Sequence, residues 1–152
     1  MSGMEISDFL NPDRVILDLR VQDKAHLISE AARLFCRSVP MLDPNVVEIA
    51  LAAREQLGST GLGGGFALPH ARIDGLEVYL GMFLRLAKPI EFDAIDAKPV
   101  QQVFVLLVPS DATVPHVGAL AAITRRFRDG GLVTRLREAK TPATAYGFLT
   151  DG

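Results

Sequence analysis

The segment QVFVLLVP (102–109) constrains the fold more than any other part of this 152-residue chain. An unbroken apolar run of that length, closed by proline, is what a strand covered on both faces requires. Such a strand needs apolar cover from two sides, and the chain supplies it as amphipathic helices. In KAHLISEAARLFCR (24–37) residues Ala25, Leu27, Ile28, Ala31, Ala32, Leu34 and Phe35 form a broad apolar face, with Asp23 placed as N-cap. His26, Glu30, Arg33 and Arg37 follow the opposite side, so His26 reads as a solvated surface histidine. A second helix is expected from Asp43 as cap and Pro44 in the first turn, with apolar residues at Val46, Val47, Ala50 and Leu51. Gly58 is expected to stop it in a left-handed conformation, which brings Arg54 and Glu55 next to a glycine-rich segment.

Further along, FALP (66–69) reads as a short extended piece, because Leu68 precedes a proline and is pushed out of the helical region. Asp74-Gly75 marks a turn, EVYLGMFLRL (77–86) a strand, and PIEF (89–92) its continuation or an edge strand. After the central run, Thr113 is placed to cap and Pro115 to open a helix carrying Val117, Leu120, Ala121, Ile123, Thr124 and Phe127, ended by Gly130 and Gly131. Thr141-Pro142 opens a last short helix through Phe148 or Leu149. Helices interleaved with strands predict an α/β fold, a single-domain mixed β-sheet flanked by helices on both faces.

Composition narrows the function. With 49% hydrophobic and 22% charged residues and a net charge of −2, the chain lacks both the signature of disorder and the basic stripe of a nucleic-acid binder. The apolar runs are too short to span a bilayer and the N-terminus carries no signal-like segment, so no membrane insertion and a cytoplasmic location are expected. The single cysteine, Cys36, has no partner for a disulfide and no metal-ligand spacing, and reads as a small apolar helix residue.

Five glycines crowd GSTGLGGGFALPHAR (58–72) before Phe66. A dinucleotide fingerprint fails there, because its third glycine would fall on Phe66 and a helix precedes the loop where a strand should. A Walker loop fails for want of Gly-Lys-Ser/Thr. What remains is a tight connection, or a nest of N–H groups suited to an anion. His70 follows Pro69 at a strand end, where ligands of α/β sheets commonly bind, and its imidazole can serve as nucleophile, base or ligand. His116 at the start of a helix, Arg54 with its guanidinium fork, and the hydroxyls of Ser59 and Thr60 are its candidate partners. Neither H-E-x-x-H nor G-x-S-x-G occurs, so a metal hydrolase and a serine hydrolase are set aside; no metal and no cofactor are expected. A histidine, an arginine, glycine N–H groups and a helix N-terminus suit the holding of a phosphoryl group, which needs positioning and charge neutralisation above all.

REQLGSTGLGGGFALPHAR (54–72) resembles the active-site signature of enzyme IIA proteins of the bacterial phosphoenolpyruvate-dependent phosphotransferase system, mannitol/fructose type. PIEFDAIDAKPVQQVFVLLVPSD and HVGALAAI are similar to the same family's strands and second-histidine helix, with Val117 where leucine is common, so the resemblance spans residues 5–150 as one domain. It implies His70 as the nucleophile phosphorylated on Nε2, His116 as the second active-site histidine, and Arg54 and Thr60 as phosphate-binding residues. Without an attached IIB, IIC or phosphocarrier segment the expectation is a stand-alone module, most similar to the nitrogen-regulatory branch. That branch receives phosphate from a histidine phosphocarrier protein and controls regulatory targets, such as sensor kinases or potassium transporters, by its phosphorylation state; a homodimer is compatible with it. The alternatives are a stand-alone sugar-transport IIA that passes phosphate to a IIB domain, and an interaction module that is never phosphorylated.

Overall fold

A computed structural model describes residues 4–110 and 117–151. The central run forms the strand β6 (Val100–Pro109), and its side chains divide alternately between two cores. Val103, Val105 and Leu107 join one cluster while Phe104, Leu106 and Val108 join the other, so period-2 alternation turns a uniformly apolar run into cover for both faces. The first core is roofed by α1 (Lys24–Ser38) and α2 (Pro44–Leu57), through Leu27, Phe35, Val47 and Leu51. Below the second lie α3 (Val117–Phe127), α4 (Gly130–Glu138) and α5 (Pro142–Thr150), through Ile123, Leu132, Leu136 and Leu149. Phe35, Phe83, Phe92 and Phe104 are fully buried, and each such side chain contributes about 1.5–3 kcal/mol on leaving water.

The remaining strands are β1 (Val15–Leu19), β2 (Gly61–Gly63), β3 (Phe66–Ala67), β4 (His70–Ile73) and β5 (Leu80–Ile90). Among the described residues the order is β1-β5-β6-β3-β2, with β4 also beside β6. The sheet is mixed: β5 runs antiparallel to β6, whereas β1 on β5 and both β3 and β4 on β6 are parallel. β3 and β4 hold one unbroken register, Phe66 opposite Gln102 and His70 opposite Leu106, and are two pieces of a single strand interrupted at Leu68-Pro69.

The expected helix starts are found where the capping chemistry lies. Asp23 accepts from the His26 N–H at 2.8 Å, Asp43 from Asn45 at 2.9 Å and Thr141 from Thr144 at 3.1 Å. His26 is exposed, as expected. Gly58 ends α2, but in an extended conformation (φ 159°, ψ 143°) and not the left-handed one, because the chain turns directly into the next loop. The first half of PIEF, Pro89 and Ile90, continues the long strand, which begins at Leu80 and not at Glu77 and ends at Ile90, before Glu91 and Phe92; its register is irregular between Arg85 and Ile90, around Pro89, which has no N–H for the ladder. The Gly130-Gly131 pair opens α4 instead of closing structure, because the Asp129 carboxylate caps it by accepting from the Gly131 N–H at 2.9 Å. The cap proposed at Thr113 and the first-turn Pro115 lie outside the described residues, as does His116.

Candidate functional site

The glycine cluster is a hairpin. β2 and β3 pair antiparallel, and the turn between them takes Gly63, Gly64 and Gly65 through φ values of 95°, 67° and 79°, which side chains with a Cβ rarely adopt. Gly61 answers a second demand, close approach: a Cβ there would lie 2.8 Å from the Ala94 Cβ and 2.9 Å from its Cα. The segment 91–98 thus packs directly on the hairpin. The anion nest does not hold for two of these N–H groups, because the protein supplies their acceptors. Gly61 donates to the Ser59 hydroxyl at 3.0 Å and Gly64 to the Asp96 carboxylate at 3.0 Å. That hydrogen bond, with a second from the Lys98 N–H, holds the Asp96 carboxyl below the ordinary carboxylate range.

His70 opens β4 and is half-buried. Ala67, Ala71 and Ile73 point into the α1–α2 core and Phe66 and Leu68 into the other, so strand alternation puts His70 on the face of α3, α4 and α5. Its Nδ1 lies 2.8 Å from the Leu68 carbonyl oxygen. A carbonyl only accepts, so Nδ1 carries a proton, and in the neutral imidazole Nε2 is then the nitrogen with the ring lone pair.

Thr60 is buried, its hydroxyl donating to the Glu55 Oε1 at 2.6 Å and its N–H to Oε2 at 2.9 Å. A phosphoryl contact from that hydroxyl would require breaking its bond to Glu55. Arg54, in the last turn of α2, uses Nη1 to donate to the Gly58 carbonyl at 3.0 Å; a guanidinium has five N–H donors, so this bond occupies one of them. The structure therefore joins Thr60 and His70 through one connecting residue, since the Leu68 N–H donates to the Thr60 carbonyl at 3.0 Å. Arg54 meets this assembly at the start of the glycine loop, and His116 directly precedes α3 in the chain, outside the described residues.

Glu55, which no sequence motif singles out, is the buried carboxylate at the centre of these contacts. Its signal was faint: an acid on a helix flank, five residues before a threonine. Around the loop, Leu57, Leu62 and Ile95 are exposed by 84%, 48% and 85%, which leaves apolar surface on the hairpin itself and on the two segments beside it. Among the described residues no group of three His, Cys, Asp or Glu side chains could hold a metal ion, and no helix is long and apolar enough to cross a membrane.

Residues 8–152 match the family model described as phosphoenolpyruvate-dependent sugar phosphotransferase system, EIIA 2. A nitrogen regulatory protein from Pseudomonas aeruginosa is 35% identical over 148 residues, covering 97% of this chain and 96% of its own. The crystal structure of nitrogen regulatory protein IIA-Ntr from Neisseria meningitidis superimposes with a TM-score of 0.89 at 37% identity, over 95% of this chain and 99% of that one. The mannitol enzyme IIA of Escherichia coli, solved in complex with its phosphorylated enzyme IIB, shares the fold, with a TM-score of 0.76 at 17% identity over 91% and 95% of the two chains. A near-complete family match, curated relatives of the same length and a shared mixed sheet agree, and the chain belongs to the EIIA 2 family of the phosphoenolpyruvate-dependent sugar phosphotransferase system.

Proposed function

We propose that this chain is a regulatory IIA protein of the nitrogen-related phosphotransferase system and that His70 accepts its phosphoryl group on Nε2. The donor is the phosphohistidine of a small phosphocarrier protein. The Nε2 lone pair attacks phosphorus in line, the N–P bond of the carrier breaks as the new one forms, and the carrier's imidazole leaves with the electron pair. Nδ1 keeps its proton throughout, so its bond to the Leu68 carbonyl survives the transfer and bears the positive charge that gathers on the ring. That 2.8 Å contact is the observation on which the reading rests, because it selects which nitrogen is nucleophilic.

Arg54 supplies a cation for the phosphoryl oxygens from the remaining N–H groups of its guanidinium, and His116 is the second histidine of the site. Exposed Leu57, Leu62 and Ile95 around the glycine loop favour a macromolecular donor over a small one, since they give a protein partner apolar surface to bury. The added phosphate brings about 1.5–2 negative charges to that surface, enough to make or break an interface with a regulated partner. The test is intact mass after incubation with phosphoenolpyruvate, the first enzyme of the cascade and a carrier. One phosphoryl unit is expected on the wild type, none on His70→Ala, and slower uptake on Arg54→Ala. Phosphorylation of His70→Ala would overturn the assignment, and an unmodified wild type would overturn the function.

A further inference from the structure

A hydrogen-bonded chain runs from the α1–α2 side of the molecule to the imidazole. The Lys24 Nζ donates to the Glu55 Oε2 at 3.0 Å; Glu55 accepts twice from Thr60, at 2.9 and 2.6 Å; the Thr60 carbonyl accepts from Leu68 at 3.0 Å; and the Leu68 carbonyl accepts from the His70 Nδ1 at 2.8 Å. Glu55 and Thr60 are 8% and 3% exposed. A buried carboxylate is expensive unless donors surround it, and this one has three, two of them from a single residue. Lys24 is itself steadied over the Phe92 ring, 4.5 Å from its centroid. A buried ion pair is often no more stabilising than apolar packing of both partners, so the informative feature of this carboxylate is what it holds, both donors of Thr60.

We propose that Glu55 is a positioning residue for His70, acting through Thr60 and Leu68 to fix the tautomer and orientation of the imidazole. The link is geometric and not electronic. The N–H and carbonyl of Leu68 belong to successive peptide units, and the Leu68-Pro69 unit has no N–H, so polarisation does not pass along the chain. What passes is position: Glu55 clamps both the N–H and the hydroxyl of Thr60, Thr60 holds residue 68, and residue 68 presents its carbonyl to Nδ1. The consequence for phosphoryl uptake rests on the proposed function, whereas the effect on the tautomer does not.

The experiment uses the full chain labelled with ¹⁵N-histidine, read by long-range ¹H–¹⁵N spectra at a pH where the imidazole is neutral, with no phosphoryl donor present. Wild-type His70 is expected as the Nδ1–H tautomer. Thr60→Val keeps the shape of the side chain but removes its bond to Glu55. It is expected to lower the Nδ1–H fraction and to slow phosphoryl uptake from the carrier by about three- to tenfold, the equivalent of one hydrogen bond. Thr60→Ser restores both. Lys24→Gln, which loosens Glu55 from the solvent side, shifts the tautomer in the same direction by less, and carries the test should Thr60→Val not fold. An Nε2–H tautomer in the wild type would overturn the proposal, as would folded Thr60→Val or Lys24→Gln chains with wild-type spectra and rates. A wild type that takes no phosphoryl group while Thr60→Val still loses the Nδ1–H form would leave the positioning intact and sink the phosphoryl reading alone.

Discussion

Gly61→Ala tests the claim that the hairpin and the segment 91–98 are packed to contact. The new Cβ would meet the Ala94 Cβ at 2.8 Å, its Cα at 2.9 Å and the Ser59 Oγ at 3.3 Å. Carbon atoms settle about 3.5–4.0 Å apart, so the two segments must separate by roughly 0.7 Å or more. Neither side yields easily, because one obstructing atom is backbone and the next segment is pinned by the Ser59 hydroxyl on the Phe92 carbonyl at 2.6 Å. Overpacking of this kind costs about 1–3 kcal/mol. Separation also stretches the bond from the Ile95 N–H to the Gly61 carbonyl, already 3.3 Å long, at about 0.5–1.5 kcal/mol. The expected loss is about 2–4 kcal/mol, a fall in Tm of roughly 5–15 °C for a chain of this length. Urea unfolding at 25 °C with an unchanged m-value measures it. Gly147→Ala is the control: that glycine is exposed within α5 and a Cβ there meets nothing within 4 Å, so a gain of about 0.5–1 kcal/mol is expected. Ala94→Gly removes one of the two closest atoms and should recover part of the loss in the double variant, a coupling that distant sites do not show. A Gly61→Ala chain within about 0.5 kcal/mol of wild type, the ordinary range of a surface change, would refute the packing argument.

Other expectations are read directly from single groups. The Asp96 carboxyl sits below its ordinary value of 3.8, through its hydrogen bonds from Gly64 and then Lys98. Its hold on the loop is therefore complete above that pH and is lost as pH falls through the lower folded-state value; the Gly64 amide shift followed by NMR should titrate with a midpoint below 3.8. The Cys36 thiol is pushed up from 9.0 by burial and then by Asp43, so alkylation of the folded chain should show a midpoint above 9.0 and quicken in urea. Arg85 is buried in β5 and donates to the carbonyls of Leu136 at 2.9 Å and Ala139 at 2.6 Å at the end of α4. Arg85→Leu should lower stability by about 3 kcal/mol or more, with amide protection in 130–138 lost first, because those acceptors are left without a charged donor. Stability close to wild type would show that α4 does not depend on this clamp.

What the sequence made legible was what repeats or caps. The both-faces strand, the apolar stripe of α1, and the Asp23, Asp43 and Thr141 caps are local chemistry, and local chemistry is written in order along the chain. β1 escaped because it is five residues long at a sheet edge and its pattern breaks at Asp18, which takes a positive φ of 57°. α4 escaped because Gly-Gly reads as a stop, while the Asp129 cap and the Leu132/Leu136 pair that outweigh it act only against a core already formed. The same limit applies to the site. Glycines 61–65 announce a strained turn, yet nothing local says that Asp96, over thirty residues away, claims the Gly64 N–H. Thr60 reads as a hydroxyl for a ligand until α2 is folded and Glu55 lies against it.

The position of the proton on His70 follows from the edge of the sheet. Within a strand the N–H and carbonyl of one residue point to the same side, and neighbouring residues point to opposite sides. The Pro69 carbonyl accepts from the Leu106 N–H on β6, so Leu68 turns both its backbone groups away from β6, toward β2. Its N–H finds the Thr60 carbonyl, but the Thr60 N–H, which would return the bond to the Leu68 carbonyl in an antiparallel pair, donates to the Glu55 Oε2 at 2.9 Å instead. The imidazole two residues along fills that place. In the neutral ring the Nδ1 proton is thus held by a backbone oxygen that Glu55, by taking the Thr60 N–H, leaves without its ladder donor.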